Sequence, residues 1–180
     1  MLVLASKSPR RQELLKYITE DFTVKTAEVD ETLSDGISPE DAVLYLSKIK
    51  AAPFENEEDT VIGADTVVAL NGRILGKPAD KADAAAMLRF LSGKTHSVFT
   101  GVTVIKNHTY HSFAVETKVT FFELSDKEIE RYVDTLEPLD KAGAYGIQGY
   151  GSLLVEKIDG DYFNVVGLPV SKLNRLLFSI

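Results

Sequence analysis

Residues 60–75 read TVIGADTVVALNGRIL, and this stretch decides the fold. Thr60 to Leu70 is rich in β-branched and apolar residues, the composition of a strand largely withdrawn from water. Asn71-Gly72 follows, with Arg73-Ile74-Leu75 beyond it. Asn-Gly between two such runs is the strongest short hairpin signal, because both residues accept the positive φ that a two-residue turn demands. The chain therefore folds back with Leu70 opposite Arg73. Working outward, Leu2 to Ala5 reads as a short buried strand and Phe22 to Val29 as a second one. Ser8-Pro9 and Ser38-Pro39 each place a capping hydroxyl before a proline at the first helical position. The first opens a helix striped by Leu14, Leu15 and Ile18. The second opens one through Val43, Leu44, Leu46 and Ile49 that ends near Pro53.

Downstream, Ala82 to Leu91 is a helix stopped at Gly93. His96 to Lys106 and Phe113 to Leu124 form a long antiparallel pair. Ser125 and Glu128 make a capping box for the next helix. Asp140 to Gly151 holds four glycines and reads as a loop. Ser152 to Ile158 and Tyr162 to Val166 read as a hairpin over Asp159-Gly160, and Pro169 begins the last helix. Crossover helices alternate with hairpins, which predicts an α/β fold, a mixed twisted sheet with flanking helices, in one domain over residues 1–180.

Composition narrows the function. The 180 residues include no cysteine, which excludes disulfides, thiolate catalysis and cysteine-ligated metal. Twenty Lys and Arg against 27 Asp and Glu leave a net charge of −7, which argues against a general nucleic-acid or membrane-surface binder. No stretch approaches the roughly 20 apolar residues of a membrane span. The apolar run at Leu2 to Ala5 is too short for a signal-peptide core, so a cytoplasmic location is expected. The sequence lacks a GxxxxGK[ST] phosphate loop, a GxGxxG turn and a GxSxG elbow. His96, His108 and His111 lack the spacing of a zinc site.

Several residues are out of place unless they serve chemistry. Arg10 and Arg11 fall in the first turn of a helix, where cations meet the positive end of the dipole. The arrangement becomes favourable around a polyanion, with Ser6, Ser8 and Lys7 at the same turn. A capped helix with two solvated arginines is the plainer explanation. Asp65 is a carboxylate inside an apolar strand, which is costly unless it is paired or used. Continuing the hairpin register sets Thr66 opposite Lys77, so Asp65 and Lys77 lie within one residue of each other across the ladder. Strict alternation sends them to opposite faces, and a bulge or a strand end is needed to aim both into one site. Asp30-Glu31 follows the second strand and offers carboxylates that could help Asp65 hold a divalent cation. Lys48 and Lys50 suit a helix C-terminus. In DKAGAYGIQG, Asp140 to Gly149, Gln148 both donates and accepts, which fits the imide edge of thymine or uracil.

Taken together and in order, ASKSPRRQELL, IGADTVV, LGKP, LSGKTHSVFTGV, EPLDKAGAYGIQG and VVGLP resemble the Maf family of nucleotide pyrophosphatases over nearly the whole chain. The resemblance implies two lobes around a central cleft, similar to inosine-triphosphate pyrophosphatases. It implies hydrolysis of a nucleoside triphosphate between the α and β phosphates, with Mg²⁺ or Mn²⁺ as the divalent cofactor and a homodimer as the assembly. Carried over by position, it implies Asp65 as catalytic base and metal ligand, and Glu31 as a further metal ligand. Ser8, Arg11, Lys50 and Lys77 then fall at phosphate-contacting positions. Arg10, Thr66 and Gln148 match the branch acting on dTTP and UTP and are the expected base readers. A non-catalytic nucleotide-binding regulator of cell division is the alternative that the same resemblance allows.

Overall fold

The computed structural model describes residues 1–56 and 58–180. Strands β1 (Leu2–Leu4), β2 (Thr23–Val24), β3 (Thr60–Leu70), β4 (Arg73–Leu75), β5 (Thr95–Lys106), β6 (Thr109–Phe121) and β7 (Val155–Asp159) form one mixed sheet. Its order is β2-β1-β3-β5-β6-β7, with β4 paired to β3. β1 is parallel to both β2 and β3, and the remaining pairs are antiparallel. Helices α1 (Pro9–Leu15), α2 (Pro39–Ala51), α3 (Lys81–Leu91), α4 (Asp126–Asp134), α5 (Tyr162–Val166) and α6 (Val170–Ser179) flank it. This is the mixed α/β architecture that the sequence predicts.

Alternation along β3 and β5 sorts the faces. Ile62 and Ala64 of β3, with Val102 and Val104 of β5, pack under α1, α5 and α6 against Leu14, Val166 and Leu173. Gly63 and Gly101 point the other way, toward α2. A Cβ on Gly63 would lie 2.2 Å from the Ser47 carbonyl oxygen, and one on Gly101 2.2 Å from that of Val43. Only glycine allows α2 to lie this close to the sheet. A second apolar cluster gathers the far ends of the same strands, through Val68, Leu70 and Val98, around α3 and α4 with Leu88, Ile129 and Tyr132.

The hairpin register is the expected one, with Leu70 opposite Arg73 and Val68 opposite Leu75. Beyond Leu75 the ladder stops. On the same outer edge, β1 pairs with β3 only from Thr60 to Ile62. Among the described residues, the edge of β3 from Gly63 to Val67 has no strand partner, and Asp65 and Thr66 sit in that gap.

Four expectations need correction. Tyr162 to Val166 is helix α5 and not a strand. The Asp161 carboxylate accepts the backbone N–H groups of Phe163 (2.8 Å) and Asn164 (3.3 Å), and this N-cap outweighs the β-branched residues Val165 and Val166. The expected strand from Phe22 to Val29 pairs only at Thr23–Val24, and Thr26 to Glu28 are exposed along a cleft wall. β6 begins at Thr109, because Asn107 and His108 adopt φ of 48° and 59° and turn the chain in two residues. The stretch read as one loop from Asp140 to Gly151 is folded into successive 3₁₀ turns, and the last of them runs on through Ser152 to Leu154.

Candidate active site

A cleft of about 1450 Å³ opens where β1 and β4 leave the edge of β3, and residues of both large apolar clusters line it. Ser8, Arg10, Arg11, Glu31, Lys50, Asp65, Thr66, Lys77 and Gln148 all line this cleft. Asp30 and Lys48 do not. Lys48 instead lies over the Tyr110 ring, 5.2 Å from its centroid. The end of a strand, one of the two devices that could aim Asp65 and Lys77 into one site, is the one present.

Asp65 shares the α2 face of β3 with Gly63. It is 9% exposed and its carboxylate is paired with the Lys50 ammonium. The same ammonium lies 3.1 Å from Glu31 Oε2. Lys50 therefore gathers two carboxylates from distant parts of the chain, and the close seating of α2 on Gly63 and Gly101 is what brings it within reach.

Thr66, one residue on, faces the opposite side. Its hydroxyl accepts a hydrogen bond from Arg11 Nη2 at 3.0 Å. The rest of the guanidinium is tied down as well, with Nε donating to Gly167 O at 2.8 Å and Nη1 to Ser6 Oγ at 3.4 Å. Burial pushes the Arg11 pKa down, and the neighbouring Asp65 charge opposes that shift. The Ser8 hydroxyl accepts from the Arg11 amide and caps α1 as expected. Arg10 stands freer, its Nη1 4.0 Å from Asp140 Oδ2.

The opposite wall is the glycine-rich segment. Gln148 is exposed there, and Glu137 orders the backbone that carries it. One Glu137 carboxylate accepts from Tyr132 Oη, Tyr150 N and Gly151 N, each at 3.0 Å. Tyr145 closes the floor, its hydroxyl 2.7 Å from His96 Nε2. Burial pushes the Tyr145 phenol up and the His96 imidazole down to about 4, so both are neutral. Gly143 N donates to Gly76 O at 3.0 Å and ties this wall to the strand end that carries Lys77. Sequence reasoning did not single out Glu137, although it stands in the EPLDKAGAYGIQG block.

Lys7, Arg10, Arg11, Lys50, Lys77 and Lys141 line the cleft together with five carboxylates. The positive set suits a polyphosphate. The carboxylates bear on a cation. Among the described residues, no group of three or more His, Cys, Asp or Glu side chains is gathered around one point. Mg²⁺, however, commonly takes one or two carboxylates and completes its shell with water and substrate phosphates. Glu31 and Asp65, drawn to one ammonium, fit that donor set.

The chain shares its fold with the Staphylococcus aureus Ham1 protein, at a TM-score of 0.57 and 18% identity over 99% of this chain and 98% of that one. A family model described as "Maf-like protein" matches residues 1–180, and the chain belongs to that family. It is similar to a protein named dTTP/UTP pyrophosphatase from Bacillus pumilus, 51% identical over 98% of this chain and 94% of the relative. A protein of the same name from Bacillus anthracis is 51% identical over 98% of this chain and 93% of its own. No helix among the described residues is long and apolar enough to cross a membrane.

Proposed function

We propose that this protein is a hydrolase that splits dTTP and UTP between the α and β phosphates, releasing the monophosphate and pyrophosphate. The observation that carries the reading is the meeting of a buried carboxylate, Asp65, with a set of cationic side chains at the unpaired edge of β3, in a member of a family whose relatives at 51% identity bear that name.

The triphosphate lies against Arg11, Lys50, Lys77 and Ser8, whose donors offset its charge in a chain of net −7. Asp65 holds a water and accepts its proton as the oxygen attacks the α-phosphorus. The P–O bond to the β-phosphate breaks, and Lys77 and Arg10 help neutralise the leaving pyrophosphate. Gln148 meets the imide edge of the base. Glu31 and Asp65 would hold a Mg²⁺ or Mn²⁺ ion, which when bound screens the phosphate oxygens. The reading includes a cytoplasmic homodimer that uses neither nucleic acid nor a membrane surface, in keeping with the acidic balance.

The test is pyrophosphate release from a panel of nucleoside triphosphates with Mg²⁺ or Mn²⁺. Release from dTTP and UTP ahead of the purine triphosphates is expected. Tight binding without release from any nucleotide would overturn the reading in favour of a regulator.

A further inference from the structure

Thr66 is bonded on two sides, and the chemistry of those bonds fixes their direction. Thr100 is fully buried, and its hydroxyl lies 2.9 Å from the carbonyl oxygen of Asn164. A carbonyl only accepts, and a hydroxyl has one proton to give. Thr100 therefore spends its proton on Asn164 O. In the 2.8 Å contact between Thr66 Oγ1 and Thr100 Oγ1, Thr100 must accept and Thr66 must donate. That leaves Thr66 with lone pairs only, one of which accepts Arg11 Nη2 at 3.0 Å. The far end is anchored by the same logic. Asn164, also fully buried, donates through Nδ2 to Val98 O and Thr117 Oγ1, both at 3.0 Å. Thr117 in turn gives its proton to Asp161 O at 2.9 Å.

We infer that Thr66 and Thr100 form a one-way hydroxyl relay, anchored on the Asn164 carbonyl of α5, that positions the Arg11 guanidinium for the phosphate chain of the substrate. Thr100 and Asn164 are positioning residues with no contact to the nucleotide. Thr66 has no proton to offer a base carbonyl, and the relay assigns its contribution to the phosphate end through Arg11, where it is the same for every base. The α5 segment grips Arg11 twice, through the relay and through the carbonyl of Gly167, the residue that follows it. The inference rests on the proposed role of Arg11 in holding phosphate, and its test separates the two.

The test is a cycle of Thr100→Val, Arg11→Lys and the double variant, with kcat and KM measured for dTTP and UTP, and Thr100→Ser as the conservative control. A valine keeps the shape and removes the acceptor that orients Thr66. Thr100→Val is expected to lower kcat/KM about ten-fold, mostly through KM and equally for both nucleotides, while Thr100→Ser stays within about two-fold. In the Arg11→Lys background the valine should cost almost nothing further, because the two changes act on one contact. Losses that multiply, or a shift in the dTTP-to-UTP ratio, would overturn the relay. Should thermal unfolding show that the valine variant does not fold, Thr100→Ala repeats the cycle with the same expectation. Calorimetric binding of an α,β-imido dTTP analogue runs alongside. Wild-type protein that binds the analogue and releases no pyrophosphate sinks the hydrolytic reading while the relay is still decided by the affinities. Hydrolysis with an unchanged Thr100→Val sinks the relay alone.

Discussion

Asp65 and Thr66 are neighbours on one strand and look into opposite faces of the sheet, and the two faces solve different problems. On the α2 side, long charged side chains meet. Lys50 pairs with Asp65 and with Glu31, whose side chain is 54% exposed. Coulombic contacts of this kind are tolerant of geometry and are rearranged by whatever ion enters. On the α5 side, the contacts are directional hydrogen bonds, running from the Arg11 guanidinium through the hydroxyls of Thr66 and Thr100 to a buried backbone carbonyl. Hydrogen bonds of that kind hold a geometry tightly and lose it abruptly when one partner goes. The site thus sets an adaptable charged half beside a rigid one, and a single peptide unit separates them.

The comparison is most exposed to Asp65→Asn. Loss of general-base help typically costs about 10² to 10⁴ in rate, so turnover of dTTP should fall by that much with thermal stability retained. Turnover close to wild type would take Asp65 out of the reaction. Lys50→Met comes next. Removing one preorganised donor from a reacting centre costs about 10², and the loss should appear in kcat. A variant that raises KM alone would leave Lys50 its contact with the triphosphate but no part in the reacting step, and would blur the distinction between the faces.

Thr66→Val tests the rigid side. It should lower kcat/KM about ten-fold with the preference between nucleotides unchanged, whereas a changed preference would return Thr66 to the base. Gln148→Glu replaces a donor with a charge at the imide edge and should weaken dTTP and UTP by about ten-fold, with little effect on a purine triphosphate. An unaltered profile would remove Gln148 from base readout. The smallest effect lies beneath the cleft floor, in the His96–Tyr145 contact. Burial lowers the His96 pKa from an ordinary 6.5 to about 4. As pH falls, the unfolded chain takes up this proton first, so the stability due to the neutral ring is whole above about pH 6.5 and is lost toward about pH 4. His96→Gln should flatten the fall in Tm across that window, and equal slopes would assign the titration to other groups.

The charged face was largely legible in the sequence, because a carboxylate in an apolar strand is a local inconsistency that can be seen without a structure, and the paired arginines at a helix start marked one end of the rigid face in the same way. The Asn71-Gly72 turn gave the register as far as Val68 opposite Leu75, where the ladder ends, and Lys77 and Asp65 line one cleft. Beyond Arg11 and Thr66, the rigid face was not legible. Its anchor, α5, is five residues long and rich in residues that favour strands, so local propensity pointed the wrong way against the Asp161 cap and the buried bonds of Asn164 that help hold it as a helix. Thr100 reads as an ordinary strand residue, since its role depends on which face it shares with Thr66. Glu137 was missed for a similar reason, as its three partners come from a helix residue and two turn amides that nothing in the sequence places together.

Gly63 and Gly101 bear on this site without a functional group between them. Because α2 lies directly on the sheet at these two points, the reach of Lys50 to Asp65 is set by atoms that are missing. One methyl group at Gly101 would wedge the helix outward and draw the ammonium off its carboxylate, although nothing charged had been altered. Part of this catalytic geometry is therefore guarded by emptiness, and a variant carrying that methyl could be well folded and chemically complete yet slow, its reacting groups all present and out of reach of one another.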